Sequence, residues 1–470
     1  MPEIALDLRN IQGFVVRGYR LPFAAYIFLA FDDPAGARAW VREMTDEVLS
    51  AEPWERKPDS GLNLAFSFPG LRALEVSMES LAGFPAEFRE GMASRAKRLG
   101  DVGESAPPGW ESPFGDSEVH ALVMISAADG DALAAHDRRV RDAVERAHGV
   151  RVVGDQSGAA LPLGREHFGY ADGFGQPAIE GAGVPALPGQ GAVADEGGWR
   201  AIRAGEFILG YPDEENALPA APAPDALSAN GSYLAYRKLR QHVGRFRDQL
   251  EAAGRLYPGG EELLSAKLVG RWKDGTPLER SPERPDAALA EDPQRNNAFD
   301  YRGADDGRRC PVGAHIRRVN PRNGVPFEGK LVNRHRMIRR GIPYGPPLAP
   351  GEPDDERTDR GIVFMCLQAS LARQFEFVQS QWINDGNLFR LGDDRDPLLG
   401  AHDGTGKMTV QGSPPFLMGP LSRVVTVRGG EYFFVPGLNG LHFIGVGSDP
   451  TTPSRSAPPS APAARRGGAR

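Results

Sequence analysis

The chain has 470 residues, enough for two to four domains, and 40% of them are hydrophobic, which supports well-formed cores. It carries 55 Lys and Arg residues against 62 Asp and Glu residues, a net charge of −7, so no overall positive field favours DNA or RNA. Two cysteines, Cys310 and Cys366, are too few for a disulfide framework and favour a reducing cytoplasm.

The N-terminal segment has none of the features of a secretory signal. It reads MPEIALDLRNIQGFVV, with acidic residues early and no apolar stretch after a basic start. The first long apolar run, 24–31, is far shorter than the roughly 20 residues that cross a bilayer, and it predicts a buried strand instead. We therefore expect a cytoplasmic protein with no membrane partner.

A strand followed by an amphipathic helix recurs three times along the chain. The units are 24–31 with the helix that follows Asp33, 118–126 with 130–148, and 361–369 with 370–383. In the first unit, Asp33 is the expected N-cap and Pro34 suits the first helical turn. A different signal, Gly429-Gly430 inside VVTVRGGEYFFVP (424–436), predicts a hairpin with a tight turn.

These elements indicate an α+β fold in which helices cover one face of mostly antiparallel sheets. Segments 182–200 and 275–310 are irregular and rich in Gly, Pro, Asp and Arg, and we place a domain boundary near 180–205. The last residues, 451–470, are rich in Pro, Ala and Ser and predict a disordered tail.

Asp172 lies in a run of small residues, GYADGFGQPAI (169–179). An Asp-Gly step usually marks a turn, because Gly accepts a positive φ and Asp bonds to the nearby backbone. The alternative is that the small neighbours let the backbone pass close to a flat, bulky group at which the carboxylate points. The run by itself leaves both interpretations open.

A second segment, CPVGAHIRRVNPR (310–322), contains one histidine, His315. A lone histidine is more often structural than a ligand. Repulsion from Arg317 and Arg318 would hold its imidazole neutral, and the neutral form binds metals. No partner lies at zinc-like spacing, whereas haem iron needs few protein ligands because the porphyrin supplies four. A third segment, NRHRMIRRGIPYG (333–345), combines four arginines with an aromatic-Gly turn.

Together these segments resemble those of the dye-decolorizing peroxidase family of haem enzymes. GYADG matches the family's GxxDG signature, the segment with His315 its proximal-histidine segment, and IRRGIPYG (338–345) its distal-arginine segment. The resemblance spans about residues 7–440 and is greatest to the long-chain branch that includes fungal enzymes. It implies two ferredoxin-like domains of the dimeric α+β barrel type. Residues 1–200 would carry the GxxDG loop and residues 201–450 would bind haem b.

The resemblance also implies roles for single residues. The implied haem contacts are Asp172, Gly173, His315 and Arg339. His315 would bind the iron, and Asp396, in the DPLLG segment, would accept the other ring N–H of the imidazole. On the opposite face, Asp172 would transfer protons between the oxygens of hydrogen peroxide, and Arg339 would stabilise the leaving oxygen. Arg336 is the alternative to Arg339 if the alignment shifts.

The implied activity is peroxide-dependent oxidation of bulky organic donors such as dyes or phenols, and homo-oligomerisation is left open. Because such donors exceed a peroxide-sized pocket, Trp382, Tyr344 and Tyr432 are candidates for carrying electrons to the surface, although core packing is the simpler explanation.

Two other functions compete with the peroxidase. A haem carrier or iron-releasing protein of related fold would need His315, but it would not need both Asp172 and Arg339. A dinucleotide enzyme is disfavoured, because the glycines of ADGFG lack the GxGxxG pattern and Pro177 opposes a helix there.

Overall fold

Two βαββαβ units, each with an antiparallel sheet, organise the chain. The computed structural model describes residues 5–115, 118–194, 198–304, 306–324, 330–349, 351–355 and 357–447. The predicted disordered tail, 451–470, therefore lies outside the described residues. Among those that are described, no helix is both long and apolar enough to cross a lipid bilayer.

The strands are β1 (Phe23–Phe31), β2 (Ser60–Phe66), β3 (Ala121–Ala127), β4 (Val150–Ala159), β5 (Ala192–Val193), β6 (Trp199–Arg200), β7 (Ser232–Gln241), β8 (Ile338–Arg339), β9 (Ile342–Tyr344), β10 (Gly361–Gln368), β11 (Gly406–Val410), β12 (Phe416–Leu421) and β13 (Val425–Val435). The longer helices are α1 (Pro34–Thr45), α2 (Gly130–Arg146), α3 (Val243–Gly254), α4 (Gly260–Val269) and α5 (Leu438–Val446). Two consecutive π-helical stretches cover Ala372–Glu376 and Val378–Ile383.

Short helical turns complete the described chain. They are Gly13–Val16, Phe68–Ala73, Met78–Ala82, Ala86–Glu90, Ala93–Arg95, Ala96–Leu99, Gly103–Ser105, Pro107–Gly109, Pro162–Gly164, Ala204–Glu206, Asp225–Ser228, Ala287–Glu291, His315–Val319, Lys330–Asn333 and Asn387–Phe389.

The strand order confirms the predicted α+β fold with two ferredoxin-like units. The first unit has the order β4-β1-β3-β2 and the second β13-β7-β10-β8, with β9 also paired to β10. All of these pairs are antiparallel. The two units join where β13 pairs with β2, through Phe434 opposite Phe66. Strands β4 and β9 belong to opposite ends of the sheet, yet they approach so closely that a Cβ on Gly158 of β4 would overlap Ile342 of β9. The sheet therefore curls toward a barrel.

The local signals account for the first strand–helix unit. Asp33 caps α1, because its carboxylate accepts the backbone N–H of Gly36 at 2.9 Å, and Pro34 occupies the first turn. The apolar residues at helical spacing, Ala37, Trp40, Val41 and Met44, are all buried. The predicted strand and cap are thereby confirmed.

Aromatic rings fill the space between the two units. Tyr236 of β7 packs edge-on against Phe28 of β1 at 5.3 Å between ring centroids and stacks on Phe114 at 5.5 Å. Phe434, at the junction itself, meets Phe84 edge-on at 5.2 Å. The strands of the two units share one paired position, so this packing and side-chain ion pairs such as Arg237–Asp101 hold the units together.

The hairpin turn predicted at Gly429-Gly430 is wrong. Gly429 and Gly430 do not turn the chain, because β13 runs through them with a bulge between Val427 and Gly429. They are needed for close packing instead: a Cβ on Gly429 would overlap the ring of Phe114. The helix predicted for 370–383 is confirmed, and it is wound as a π-helix.

Candidate functional site

A cavity of about 990 Å³ is lined by parts of all three sequence segments that motivated the family resemblance. Asp172 comes from the connection between β4 and β7, His315 from the short helix His315–Val319, and Arg339 from β8. This volume is at the upper end of the range for small-molecule and cofactor sites, roughly 300–1,000 Å³. The cavity can therefore admit a group as large as a porphyrin.

His315 is held by a buried carboxylate. Its Nδ1 donates to Oδ2 of Asp396 at 2.8 Å, and Asp396 is fully buried. The other carboxylate oxygen, Oδ1, accepts the backbone N–H groups of Leu398 and Leu399, each at 2.9 Å. With the carboxylate fixed by three bonds and Nδ1 engaged, Nε2 is the ring nitrogen left for a ligand.

The electrostatics of this pair differ from the sequence-based expectation. Burial alone would lower the pKa of His315, but the Asp396 carboxylate outweighs it and raises that pKa. Burial opposes ionisation of Asp396 too, yet His315 brings its pKa below the usual value. The prediction that Arg317 and Arg318 hold the imidazole neutral is wrong, because their guanidinium groups point elsewhere. They donate to the carbonyl oxygens of Cys310 at 2.8 Å and Trp382 at 2.7 Å.

Asp172 and Arg339 face each other across the same cavity. Nη2 of Arg339 lies 4.0 Å from Oδ1 of Asp172, and 68% of the Asp172 side chain is exposed. Oδ1 also accepts the N–H of Gly173 at 2.6 Å, and Gly173 has a φ of +96°, which favours glycine. A separate bond, from the backbone N–H of Arg339 to Oε1 of Gln176 at 2.9 Å, ties β8 to the Asp172 loop. Sequence reasoning did not single out Gln176.

Arg336, the alternative distal arginine, takes a different position. Its Nη2 lies 3.4 Å from the carbonyl oxygens of Gly175 and Gln190, rather than beside Asp172. Of the two arginines, Arg339 is therefore the one that faces the loop carboxylate.

Three buried arginines give the cavity a positive wall. Arg271, Arg322 and Arg336 all line it, and no carboxylate of the described residues lies within 4.0 Å of them. Burial, with the nearby Arg322, lowers the pKa of Arg271 and that of Arg336 to about 9 each. A buried cation without a carboxylate partner is costly, so this wall fits a ligand that brings its own anionic groups.

Haem b fits this requirement, since it carries two propionate carboxylates in addition to an iron that one imidazole can bind. Sequence reasoning missed Arg271 and Arg322 as cavity residues. No local pattern separates them from the many arginines at the surface.

The candidate electron-transfer residues are all internal. Trp382, Tyr344 and Tyr432 are buried. Tyr432 donates its hydroxyl to Glu376 at 3.0 Å, and Tyr344 donates to Asp359 at 3.2 Å. These positions favour the packing explanation for all three.

Comparisons with known proteins agree with this geometry. A family profile described as "DyP dimeric alpha+beta barrel domain" matches residues 10–160, and one described as "Dyp-type peroxidase, C-terminal" matches residues 212–401. The chain is 32% identical to a dye-decolorizing peroxidase of Mycena epipterygia, over 94% of this chain and 87% of that protein.

Solved structures give the same result. A variant of the dye-decolorizing peroxidase from Pleurotus ostreatus aligns with a TM-score of 0.82 at 28% identity, covering 94% of this chain and all of that one. A dye-decolorizing peroxidase solved with 2,6-dimethoxyphenol aligns with a TM-score of 0.80, at the same identity and coverage.

Proposed function

The chain belongs to the dye-decolorizing peroxidase family, and on that premise we propose that it uses hydrogen peroxide to oxidise bulky organic donors such as dyes and phenols. The observation that carries the proposal is the arrangement around one cavity. His315, whose imidazole is bound to Asp396, lines this cavity, and so do Asp172 and Arg339, which lie 4.0 Å apart. A related dye-decolorizing peroxidase was solved in complex with 2,6-dimethoxyphenol, which is consistent with the donor class.

The cofactor that we propose is haem b, which supplies a redox-active iron that takes oxidising equivalents from peroxide and passes them on as single electrons. His315 would bind the iron through Nε2. Arg336, whose acceptors Gly175 and Gln190 lie at 3.4 Å, would bind a propionate carboxylate, and the charges of Arg271 and Arg322 in the same wall would favour it.

Asp396 orients His315 and increases its basicity. The carboxylate holds the proton on Nδ1, so Nε2 keeps a lone pair that can bind a metal. A ring that shares its proton with a buried carboxylate is a stronger electron donor than a free imidazole.

Asp172 is suited to move the protons of peroxide. Its carboxylate is exposed and, within the described part of the chain, accepts one N–H, from Gly173, so it can accept a proton at Oδ2 and return it. Arg339 would stabilise the negative charge that develops on the leaving oxygen.

The alternative is a haem carrier or iron-releasing protein. It would account for His315, Asp396 and the arginine wall, but it gives no reason for Asp172 and Arg339 to face each other in the same cavity. The peroxidase function requires both of these groups and is therefore favoured.

Turnover of an anthraquinone dye with peroxide tests the proposal in wild type, Asp172→Asn and Arg339→Leu. We expect each substitution to lower the rate of the peroxide step by roughly 10²–10³-fold. Haem binding should be retained in both variants. Arg357→Leu is the matched control, because Arg357 is 92% exposed and its one ion-pair partner among the described residues is Asp355. Weak wild-type turnover that is insensitive to both cavity substitutions would instead support the carrier.

Three broader points are also proposals. The domain limits of 1–200 and 201–450 are supported by the two βαββαβ units, which end and begin on either side of residue 200. A cytoplasmic location is supported by two buried cysteines, Cys310 and Cys366, that form no disulfide. Peroxide and an organic donor are the proposed partners, and homo-oligomerisation stays a hypothesis.

A further inference from the structure

The position of the Asp172 carboxylate depends on the loop around it. Its described side-chain interactions are the short bond to the N–H of Gly173 and the 4.0 Å approach of Arg339. Gly173 follows directly, with a φ of +96°, and glycine is the most conformationally free residue. A carboxylate on such a turn keeps one position only if the flanking residues are held.

Upstream of Asp172, backbone bonds hold the loop. The N–H of Ala171 donates to the carbonyl of Lys273 at 3.0 Å, and the N–H of Asp172 donates to the carbonyl of Gly164 at 3.1 Å. Lys273 belongs to the turn between Arg271 and Pro277, which are paired in an isolated bridge. The loop therefore rests on this turn.

Downstream of Asp172, a side chain holds the loop. The ring of Phe174 lies against the bare backbone of Gly275, where a Cβ would overlap it, and Gly275 has a φ of +97°. The guanidinium carbon of Arg271 lies 4.7 Å from the centre of the same ring, within cation–π range. Phe174 thus packs against Arg271 and Gly275 of the same turn, and we call these two residues the seat of Phe174.

The seat itself is rigid. Nη1 of Arg271 donates to the carbonyl of Gly275 at 2.7 Å and to Oδ1 of Asn296 at 2.8 Å, while Nη2 donates to Oδ1 of Asn297 at 3.0 Å. The guanidinium plane is fixed by these acceptors, and so it offers a fixed face to Phe174.

We propose that Phe174, Arg271 and Gly275 form a clamp that positions Asp172 for proton transfer opposite Arg339. Phe174 is a positioning residue in this proposal, because it acts through the loop and not on peroxide. The inference rests on the proposed peroxidase function, in which the carboxylate must meet peroxide within hydrogen-bond reach.

The test uses the haem-loaded full chain and its haem-free form. Stopped-flow absorbance measures the second-order rate of the reaction with peroxide in wild type, Phe174→Ala, Phe174→Leu, Asp172→Asn and the double variant Asp172→Asn/Phe174→Ala. Hydrogen exchange measured by mass spectrometry reports protection of residues 169–178 in each haem-free protein. Phe416→Ala is the matched control, since Phe416 is a half-buried ring that packs on Tyr257 outside the cavity.

We expect Phe174→Ala to slow the peroxide reaction by about 10- to 100-fold, as is typical of small misplacements of a catalytic group. Exchange in 169–178 should become faster, and Phe174→Leu should recover part of both losses. In the Asp172→Asn background, Phe174→Ala should slow the reaction less than about twofold, because the positioned group is already gone.

Two results would overturn the clamp. One is unchanged protection of 169–178 in Phe174→Ala. The other is a further tenfold loss of rate in the double variant relative to Asp172→Asn, which would mean that Phe174 acts independently of Asp172. A wild type that does not react with peroxide would instead refute the proposed function, and the exchange measurement on the haem-free protein would still decide whether the clamp holds the loop.

Discussion

Replacing Asp396 with asparagine should weaken haem binding, through the tautomer of His315. The two backbone N–H groups of Leu398 and Leu399 bind Oδ1 of Asp396, so they should select the amide oxygen of the asparagine for that position. The amide nitrogen then replaces Oδ2 and presents N–H groups to Nδ1 of His315. Nδ1 must become an acceptor, which moves the ring proton to Nε2, the atom proposed to bind iron.

The size of the effect follows from the bond that is lost. The bond between His315 and Asp396 is 2.8 Å long and fully buried on the carboxylate side. Hydrogen bonds to charged groups contribute about 1.5–3 kcal/mol. At about 1.36 kcal/mol for each factor of ten, that range corresponds to a loss of haem affinity of about 10- to 150-fold. Substitution of such partners in other metal sites typically costs about 10- to 100-fold.

The assay is a titration of haem into the haem-free protein, followed by Soret absorbance, for wild type and Asp396→Asn. Asp393→Asn is the matched control, because Asp393 is 91% exposed and pairs with Lys407 at the surface. It should bind haem like wild type. A dissociation constant for Asp396→Asn within threefold of the wild-type value would show that the carboxylate does not orient the imidazole, and the tautomer argument would be wrong.

Three further substitutions test other parts of the structure. Arg336→Met should raise the melting temperature of the haem-free protein, because an unpaired buried cation is removed, while haem titration should show weaker binding. For Glu206, burial raises the pKa to about 7 from its ordinary 4.5, so the folded state favours the protonated form. The stability of the wild type relative to Glu206→Gln should therefore fall as the pH rises from 4.5 to 7. Melting curves should show that the melting temperature of Glu206→Gln relative to that of the wild type is higher at pH 8 than at pH 5. Gly429→Ala should destabilise the protein by about 1–3 kcal/mol in denaturant unfolding, because the new methyl group overlaps Phe114.

The features that were predictable from sequence depend on neighbours in the chain. The cap at Asp33 and the strand that precedes it are encoded within a few residues of each other, and the structure has both. The glycine pair at 429–430 also carries a strong local signal, but its role is decided by Phe114, a residue more than 300 positions away. A hairpin prediction based on the pair alone could not include that contact.

The candidate site shows the same division. Three short motifs were sufficient to select Asp172, His315 and Arg339, and the structure brings them to one cavity. The direction of a side chain is not encoded in its motif. Arg317 follows His315 closely in sequence, yet its guanidinium donates to the carbonyl oxygen of Cys310. The charged group that contacts the imidazole is instead the carboxylate of Asp396. The arginine wall was missed for the same reason, since its members become neighbours only after folding.

The junction between the two βαββαβ units has a consequence for protein engineering. The strands of the two units share one paired position, Phe434 opposite Phe66, and the units also meet through aromatic packing and ion pairs. Chimeras that combine the first half of one relative with the second half of another thus need to preserve few inter-strand bonds, but the rings and the ion pairs at the interface must match. The crossover point decides which parent supplies the proton-transfer loop. Asp172 precedes β7 in the sequence, whereas Arg271, which contacts the Asp172 loop through Phe174, follows β7. In a chimera with its crossover within β7, the loop and the arginine that supports it would therefore come from different parents.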